Sequence, residues 1–317
     1  MVPLPQRVRS SCAALMAEAE FVDIEVDRLA ALAEEYRSAT AAGSTVVGDP
    51  RPVASIDADA ALLVLALDAI NFGSGYHDVV RKDPGLSGAR TMASRLRAYV
   101  GMSGPLTAAR LRTFTPADCS QIFGQELDGG ALEELMFHFA VALNDLGSWL
   151  DTEFGGSVHE AMAHADRSAV AFAESLLAMP YYRDVERVDL DDGPLEVALY
   201  KRAQITAADL EREVGPGLFD DLGELTAFAD NLVPHVLRID GVLVLDPELE
   251  ATINAGLLLE PGARPEVELR AAGVVVVDRL TSLTGHRAMD LDLMLWERGS
   301  GARYKAVPRH RARGVFY

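Results

Sequence analysis

Two short stretches of the sequence combine a cation, an aromatic ring and a carboxylate where an ordinary core helix would carry apolar side chains. Lys201 and Arg202 open a run of good helix formers that ends at the turn Val214-Gly215-Pro216-Gly217. After this turn, Phe228 and Asp230 lie among apolar residues, on what the pattern predicts to be a mostly buried helix. An uncompensated buried charge is very costly, so a carboxylate there must be paired, hydrogen-bonded or functional. Such groups could hold a phosphate, a flat base and a developing positive charge.

The charged residues in these stretches also have ordinary structural explanations. Lys201 and Arg202 could form a solvated charge pair at a helix start, since charge runs are usually solvated faces. Asp230 could form a salt bridge within the helical core, to Arg238 or Arg270. Taken alone, the residue types therefore leave both a structural and a catalytic role open.

The composition limits the class of protein. The chain has 317 residues, of which 49% are hydrophobic, ample material for a core. Lys+Arg 29 against Asp+Glu 48 gives a net charge of -19, which opposes loose binding to polyanionic nucleic acid. Cys12 and Cys119 allow at most one disulfide and match no metal-ligand spacing, so we expect a reduced, cytoplasmic setting. Neither a signal peptide nor a membrane span is indicated.

Apolar periodicity predicts a mostly α fold with a few short strands, built as a single domain over residues 1–317. This domain could divide into two lobes, about 1–150 and 175–317. Asp57 or Asp59 and Thr115 are predicted helix starts, and Ala42-Gly43-Ser44-Thr45 is a predicted break. The predicted strands are Asp184–Leu190 and Gly241–Leu245. The predicted helices are Gln6–Ala41 (one or two), Ala60–Ile70, Ser87–Tyr99, Thr107–Arg112, Ala131–Leu150, Val158–Met179, Pro265–Leu283 and Met289–Arg298.

Several apparent motifs are better explained by local structure. His159 and His164 flank a glutamate as in zinc proteases, but a spacing of five turns them by roughly 140° around a helix. Gly73-Ser74-Gly75 does not complete a nucleophile elbow, and turn chemistry explains it. Taken alone, Phe228 and Trp296 would be core residues.

Several segments of the sequence match the motifs of one known family. They are Asp68-Ala69-Ile70-Asn71-Phe72, Tyr200-Lys201-Arg202-Ala203-Gln204, Leu225-Thr226-Ala227-Phe228-Ala229-Asp230, Glu266-Val267-Glu268-Leu269-Arg270-Ala271, Asp292-Leu293-Met294-Leu295-Trp296, and Arg309-His310-Arg311 with Phe316-Tyr317. Through these segments, which extend in the expected order over roughly the last four-fifths of the chain, the sequence resembles the queuosine salvage family. It departs from the family at Asn231, where an aromatic residue is usual, and at His235, where Gln is usual.

This resemblance implies an N-glycosidase that releases the base queuine from queuosine 5′-phosphate, without a metal or an organic cofactor. The implied fold is similar to the helical DNA-glycosylase architecture. Asp230 would stabilise positive charge on the ribose and orient or deprotonate a water. By analogy, Lys201 would bind the 5′-phosphate, helped by the basic tail Arg303–Tyr317, while Phe228 stacks on the base. The other expected substrate contacts are Asn71, Phe72, His77, Asn231, Asp292 and Trp296. The expected partner is thus a small modified nucleotide, with no direct contact to nucleic acid or membrane.

Two other classes of protein are compatible with the same residues. A carrier for a deazapurine base would use Asp230 only to contact a ligand nitrogen, and would bind without turnover. A helical partner-binding protein would use its polar residues in salt bridges, and no nucleotide would shift its melting temperature.

Overall fold

The computed structural model describes residues 2–39 and 49–317, and most of this length is helical, which confirms the predicted fold class. The four strands found in these residues are β1 (Val22–Ile24), β2 (Val185–Leu190), β3 (Gly193–Ala198) and β4 (Leu243–Leu245). The helices are α1 (Leu4–Ala17), α2 (Val26–Tyr36), α3 (Ala58–Ala69), α4 (Gly88–Ser103), α5 (Ala108–Leu111), α6 (Pro116–Phe123), α7 (Ala131–Phe154), α8 (Val158–His164), α9 (Ala169–Leu176), α10 (Lys201–Val214), α11 (Leu232–Ile239), α12 (Pro247–Asn254), α13 (Arg264–Thr284), α14 (Ala288–Gly299) and α15 (Ala302–Lys305).

Local capping chemistry fixes several of the predicted helix starts. The Asp57 side chain accepts hydrogen bonds from the main-chain N–H groups of Asp59 and Ala60, and so caps α3. Thr115 and Asp118 form a reciprocal capping box at the start of α6, where Pro116 occupies the first helical position. The predicted end at Ala41 and the predicted break at Ala42-Gly43-Ser44-Thr45 lie outside the described residues.

Two predicted helices are interrupted. Within the predicted helix Gln6–Ala41, residues Val22–Ile24 form β1, which pairs antiparallel with β4. The predicted helix Val158–Met179 is divided into α8 and α9, because Asp166 and Arg167 adopt positive φ angles of 47° and 63°. The Arg167 guanidinium binds the Asp220 carboxylate and the Gly217 main-chain oxygen, so distant partners stabilise this break.

The predicted strand before Asp191-Asp192-Gly193 is confirmed as β2, and it continues into a hairpin that the sequence pattern did not predict. β2 pairs antiparallel with β3, with Val185 opposite Ala198 and Leu190 opposite Gly193. Gly193 has a φ of 116°, which a side chain would disfavour. The hairpin brings the chain directly to the Lys201 end of α10.

The described chain forms two compact units. The first consists of residues 2–39, Asp184–Gln204 and Asp221–Arg313, and the second of residues 49–183, Ile205–Asp220 and Gly314–Tyr317. In the first unit α13 is the central helix and packs against α1, α2, α11 and α14. Its apolar residues Leu269, Val276 and Leu280 are buried in the core of that unit. The same helix also buries Glu266, Glu268 and Arg270, which makes it the main carrier of buried charge in the first unit.

The second unit is organised around α7, which packs against α3, α5, α6 and α8. The turn after α10 also belongs to this unit. The buried Glu211 carboxylate accepts hydrogen bonds from the main-chain N–H groups of Gly217, Leu218 and Phe219. Gly217 has a φ of 90°, and a Cβ at this position would collide with the Asp49 main-chain oxygen.

Within the described residues, none of the helices has the combination of length and apolar content needed to cross a lipid bilayer.

Candidate active site

The segment that carries Phe228 and Asp230 is irregular, so the prediction that both residues lie on a buried helix is wrong. Leu225–Asp230 follows a short 3₁₀ turn at Leu222–Glu224 and precedes α11, which begins only at Leu232. Phe228 is nevertheless buried, whereas Asp230 is partly exposed. The apolar residues on either side of Phe228 and Asp230 produced the helical pattern, but the main chain of this segment is hydrogen-bonded to side chains that are distant in sequence.

Side chains from three distant positions hold this irregular main chain. Gln204 accepts a hydrogen bond from the Thr226 N–H at 2.8 Å. Asp292 accepts one from the Phe228 N–H at 2.9 Å. The Arg270 Nε donates to the Ala229 main-chain oxygen at 2.9 Å. Because buried main-chain groups must be paired, these three side chains take the place of the helical hydrogen bonds that the segment lacks.

Asp230 is held at the start of α11 by one of its two carboxylate oxygens. Its Oδ1 accepts hydrogen bonds from the Leu232 N–H at 2.8 Å and the Val233 N–H at 3.2 Å. Its Oδ2 has no hydrogen-bond partner among the described residues and is not fully buried. The salt bridge to Arg238 or Arg270 considered from the sequence is not formed. One oxygen therefore fixes the carboxylate while the other is available to a ligand.

Arg309 is the cation whose charge interacts with Asp230. Burial lowers the pKa of Arg309, and the negative charge of Asp230 opposes that change. None of the described residues forms a hydrogen bond or an ion pair with the Arg309 guanidinium. A partly buried guanidinium of this kind suits an anionic ligand such as a phosphate.

Lys201 and Arg202 are buried, with exposed fractions of 4% and 1%, so the alternative of a solvated charge pair is wrong. The residue before them, Tyr200, has a φ of 48°, an uncommon conformation for a non-glycine residue. Arg7 donates a hydrogen bond to the Tyr200 hydroxyl at 2.9 Å, and its guanidinium also lies over the ring. Strained main-chain conformations of this kind cluster at functional sites, and here the strain lies immediately before Lys201.

A buried network of charges surrounds the start of α10. The Asp184 Oδ2 lies 2.5 Å from the Arg270 Nη2 and 3.3 Å from the Lys201 main-chain nitrogen. Glu266 forms a longer ion pair with Arg270, at 3.7 Å. Glu186 completes the group. Burial raises its pKa, the charges of Asp184 and Glu266 raise it further and Arg270 opposes them, so that the resulting pKa is about 7.

The two residues that depart from the family motif are buried and bind main-chain oxygens. The Asn231 Nδ2 donates to the His310 oxygen at 3.0 Å, and the His235 Nε2 lies 2.9 Å from the Tyr304 oxygen. Burial lowers the pKa of His235 to about 4 and that of His310 to about 3, so both imidazoles are neutral at pH 7. Asn231 carries no charge and His235 is neutral, so neither of them adds positive charge beside Asp230.

Asp292 and Trp296 lie one turn apart on α14. Asp292 is buried, while Trp296 is 40% exposed, so the alternative that Trp296 is a core residue is wrong. Positions four apart share one face of a helix. Since Asp292 binds the Phe228 main chain, α14 brings Asp292 to the irregular segment and presents an open aromatic surface one turn further on.

Asn71, Phe72 and His77 belong to the second unit, in the loop between α3 and α4. The Phe72 ring packs edge-on against Phe139 and Tyr181, with ring centroids 5.3 and 6.2 Å away. His77 is exposed and lies next to Asp78 and Lys82. The Gly73 and Ser74 N–H groups donate to the Tyr317 main-chain oxygen, so the closing residue of the chain fixes this loop.

The sequence did not reveal the roles of Gln204, Arg270 and Asp184. Gln204 and Arg270 lie in the matching segments and Asp184 lies outside them, and all three bind main-chain groups of residues far away in sequence. In the residues that the structure describes, no three His, Cys, Asp or Glu side chains are grouped so as to hold a metal ion.

Comparison with known proteins identifies the family. The model of the family described as "Queuosine salvage protein" matches residues 54–317. The chain is 36% identical over 267 residues to the "Queuosine 5'-phosphate N-glycosylase/hydrolase" of Sphaerobacter thermophilus, covering 80% of each chain. It is 30% identical over 268 residues to the protein of the same name from Dictyostelium discoideum, covering 80% of this chain and 77% of that one. A relative of the same name from Mus musculus is 32% identical over 194 residues, which is 55% of this chain and 56% of the relative. This chain belongs to the queuosine salvage protein family.

Proposed function

We propose that this protein hydrolyses the bond between C1′ of the ribose and the base nitrogen in queuosine 5′-phosphate, and so releases queuine. Relatives that share 36% and 30% identity over 80% of the chain carry the name of that activity. The observation that carries the proposal here is the state of Asp230, with one oxygen fixed by the start of α11 and the other without a hydrogen-bond partner among the described residues.

In the proposed reaction the bond between C1′ and the base breaks, and its electron pair goes to the base nitrogen. Positive charge then develops on the ribose, and the open oxygen of Asp230 stabilises it. The oxygen of a water molecule bonds to C1′. One proton leaves this water, to Asp230 or to solvent, and the base nitrogen takes up a proton. Because Asp230 is already held by two N–H groups, it needs no rearrangement as the charge develops.

Lys201 and Arg309 are the cations that we assign to the 5′-phosphate. Both belong to the first unit, Lys201 is buried and Arg309 is partly buried, and a phosphate is the natural partner for an Arg fork and a Lys ammonium. Phe228 and Trp296 supply aromatic surface for the base. We further assign Asn231, Asp292, Asn71, Phe72 and His77 to substrate binding, as the family resemblance implies. The strongly acidic chain, with a net charge of -19, favours a free nucleotide over a polynucleotide substrate.

The decisive test is Asp230→Asn, assayed by single-turnover release of free base from queuosine 5′-phosphate. Asn keeps the size of the side chain and caps a helix as well as Asp does, so the melting temperature should change little. The negative charge is lost, and we expect the rate to fall by roughly a hundredfold to a thousandfold. Substrate affinity should survive, because the charge that Asp230 stabilises exists only in the transition state.

Asp246→Asn is the matched control. Asp246 caps α12 in the same unit, and its Oδ1 accepts hydrogen bonds from the Glu248 and Leu249 N–H groups at 2.9 and 3.2 Å. This variant should keep the wild-type rate. A folded Asp230→Asn protein that releases base at the wild-type rate would refute the assignment, and a wild-type protein that binds the nucleotide without turnover would indicate a carrier.

A further inference from the structure

One buried ion pair joins the two main-chain segments that carry Lys201 and Asp230. The exposed fractions of its side chains, Arg270 and Asp184, are only 1% and 2%. The Asp184 carboxylate accepts a hydrogen bond from the Lys201 N–H, the first main-chain donor of α10. The Arg270 guanidinium donates to Asp184 with Nη2 and to the Ala229 oxygen with Nε. Ala229 is the neighbour of Asp230, so a continuous chain of hydrogen bonds runs from the start of α10 to the residue before the carboxylate.

The geometry requires an arginine at this place. A guanidinium is planar and rigid, and its Nε and Nη2 donors point in fixed directions. It can therefore bind a carboxylate and a carbonyl at the same time and set the distance between them. A lysine ammonium carries the same charge, but it cannot reproduce two contacts from separated atoms of one rigid plane.

The ion pair is an expensive way to stabilise a fold. Taking two charges out of water carries a desolvation penalty that can exceed their attraction, so a buried ion pair is weak evidence for stability alone. The same α13 helix already has an apolar face that builds the core. The hydrogen bonds to Lys201 and Ala229 provide what an apolar pair could not, a fixed position for two functional segments.

We propose that Arg270 and Asp184 are positioning residues, which set the distance and orientation between the phosphate-binding Lys201 and the Asp230 carboxylate. This inference rests on the proposed function, since it assigns no contact with substrate to either residue. A displacement of about 1 Å between a bound group and the reacting centre can cost about a hundredfold in rate. The pair should therefore affect both the rate and the preference for a 5′-phosphate.

The test compares Arg270→Lys and Asp184→Asn with two control variants in the same unit. Arg264 is the matched arginine: it lies on the same helix, pairs with the buried Glu268 carboxylate and donates to the Glu18 main-chain oxygen. Glu268→Gln is the matched carboxylate control, because Glu268 is fully buried and binds the Glu20 and Phe21 N–H groups. Neither control touches the segments of Lys201 or Asp230.

Each variant is assayed at a temperature where circular dichroism shows it folded, with queuosine 5′-phosphate and with queuosine. We expect Arg270→Lys to lower single-turnover base release about a hundredfold and to reduce the preference for the nucleotide about tenfold. Asp184→Asn keeps an acceptor oxygen and should retain more activity than Arg270→Lys. Arg264→Lys and Glu268→Gln should lose thermal stability but keep the wild-type rate and preference.

Two distinguishable results would overturn the proposal: one contradicts only the positioning role, and the other contradicts the proposed function. If Arg270→Lys loses only melting temperature, as the controls do, the pair is merely structural. If wild-type protein releases no base from either compound, the proposed function itself fails.

Discussion

Glu186→Gln tests the charge network beside Lys201 through the pH dependence of stability. Glu186 lies on β2, partly buried, and its pKa is raised from 4.5 to about 7, first by burial and then by the charges of Asp184 and Glu266. The folded protein therefore holds this proton more tightly than the unfolded chain. The resulting stabilisation is complete below about pH 4.5 and is lost as the pH rises through about 7.

The size of this effect follows from the shift. One pKa unit corresponds to about 1.4 kcal/mol, so moving from pH 5 to pH 8 should remove about 2 kcal/mol of folding free energy, after allowance for solvent screening. A glutamine has nearly the shape of the protonated carboxyl and cannot ionise. Glu186→Gln should therefore be close to wild type at pH 5 and more stable by about 2 kcal/mol at pH 8.

Urea unfolding followed by circular dichroism at the two pH values measures this difference directly. Glu196→Gln on the neighbouring strand β3 is the control, since Glu196 is exposed on the same hairpin. If Glu186→Gln changes the free energy of unfolding equally at pH 5 and pH 8, the assigned environment of Glu186 is wrong.

Two further predictions concern substrate recognition. Lys201→Ala should raise KM for queuosine 5′-phosphate about tenfold or more and leave reaction with the nucleoside largely unchanged, and equal losses on both substrates would contradict its assignment to the phosphate. Asn231→Tyr combined with His235→Gln should change the ratio of kcat/KM among related bases, because Tyr can stack and Gln is both donor and acceptor. Unchanged selectivity would place these two positions outside the base pocket.

The sequence predicted best those features that depend on neighbouring residues. Thr115 and one of the two candidate caps, Asp57, do start helices, because a capping side chain acts on N–H groups two or three residues away. The family was also predicted correctly from its motifs. The similarity to helical DNA glycosylases, the cytoplasmic setting and the roles of the site residues stay predictions.

The features predicted wrongly depend on distant partners. The segment around Phe228 and Asp230 has a helical pattern of apolar residues, but Gln204, Asp292 and Arg270 bind its main chain in an irregular conformation. The break between α8 and α9 is likewise stabilised by Arg167 contacts to Gly217 and Asp220. Periodicity cannot detect such contacts, because it records only which side chains are apolar.

The side-chain contacts that shape the Asp230 segment have a consequence for folding. They join Thr226, Phe228, Ala229 and Asn231 to residues 22, 64, 41 and 79 positions away in sequence. Contacts of such long range form only when much of the chain has already collapsed, since each must first overcome the entropy of closing a loop. The short motif would therefore not keep its shape if it were grafted into another helical protein. In this chain, the recovery of base release during refolding would report the completion of the native topology, later than the recovery of helical signal.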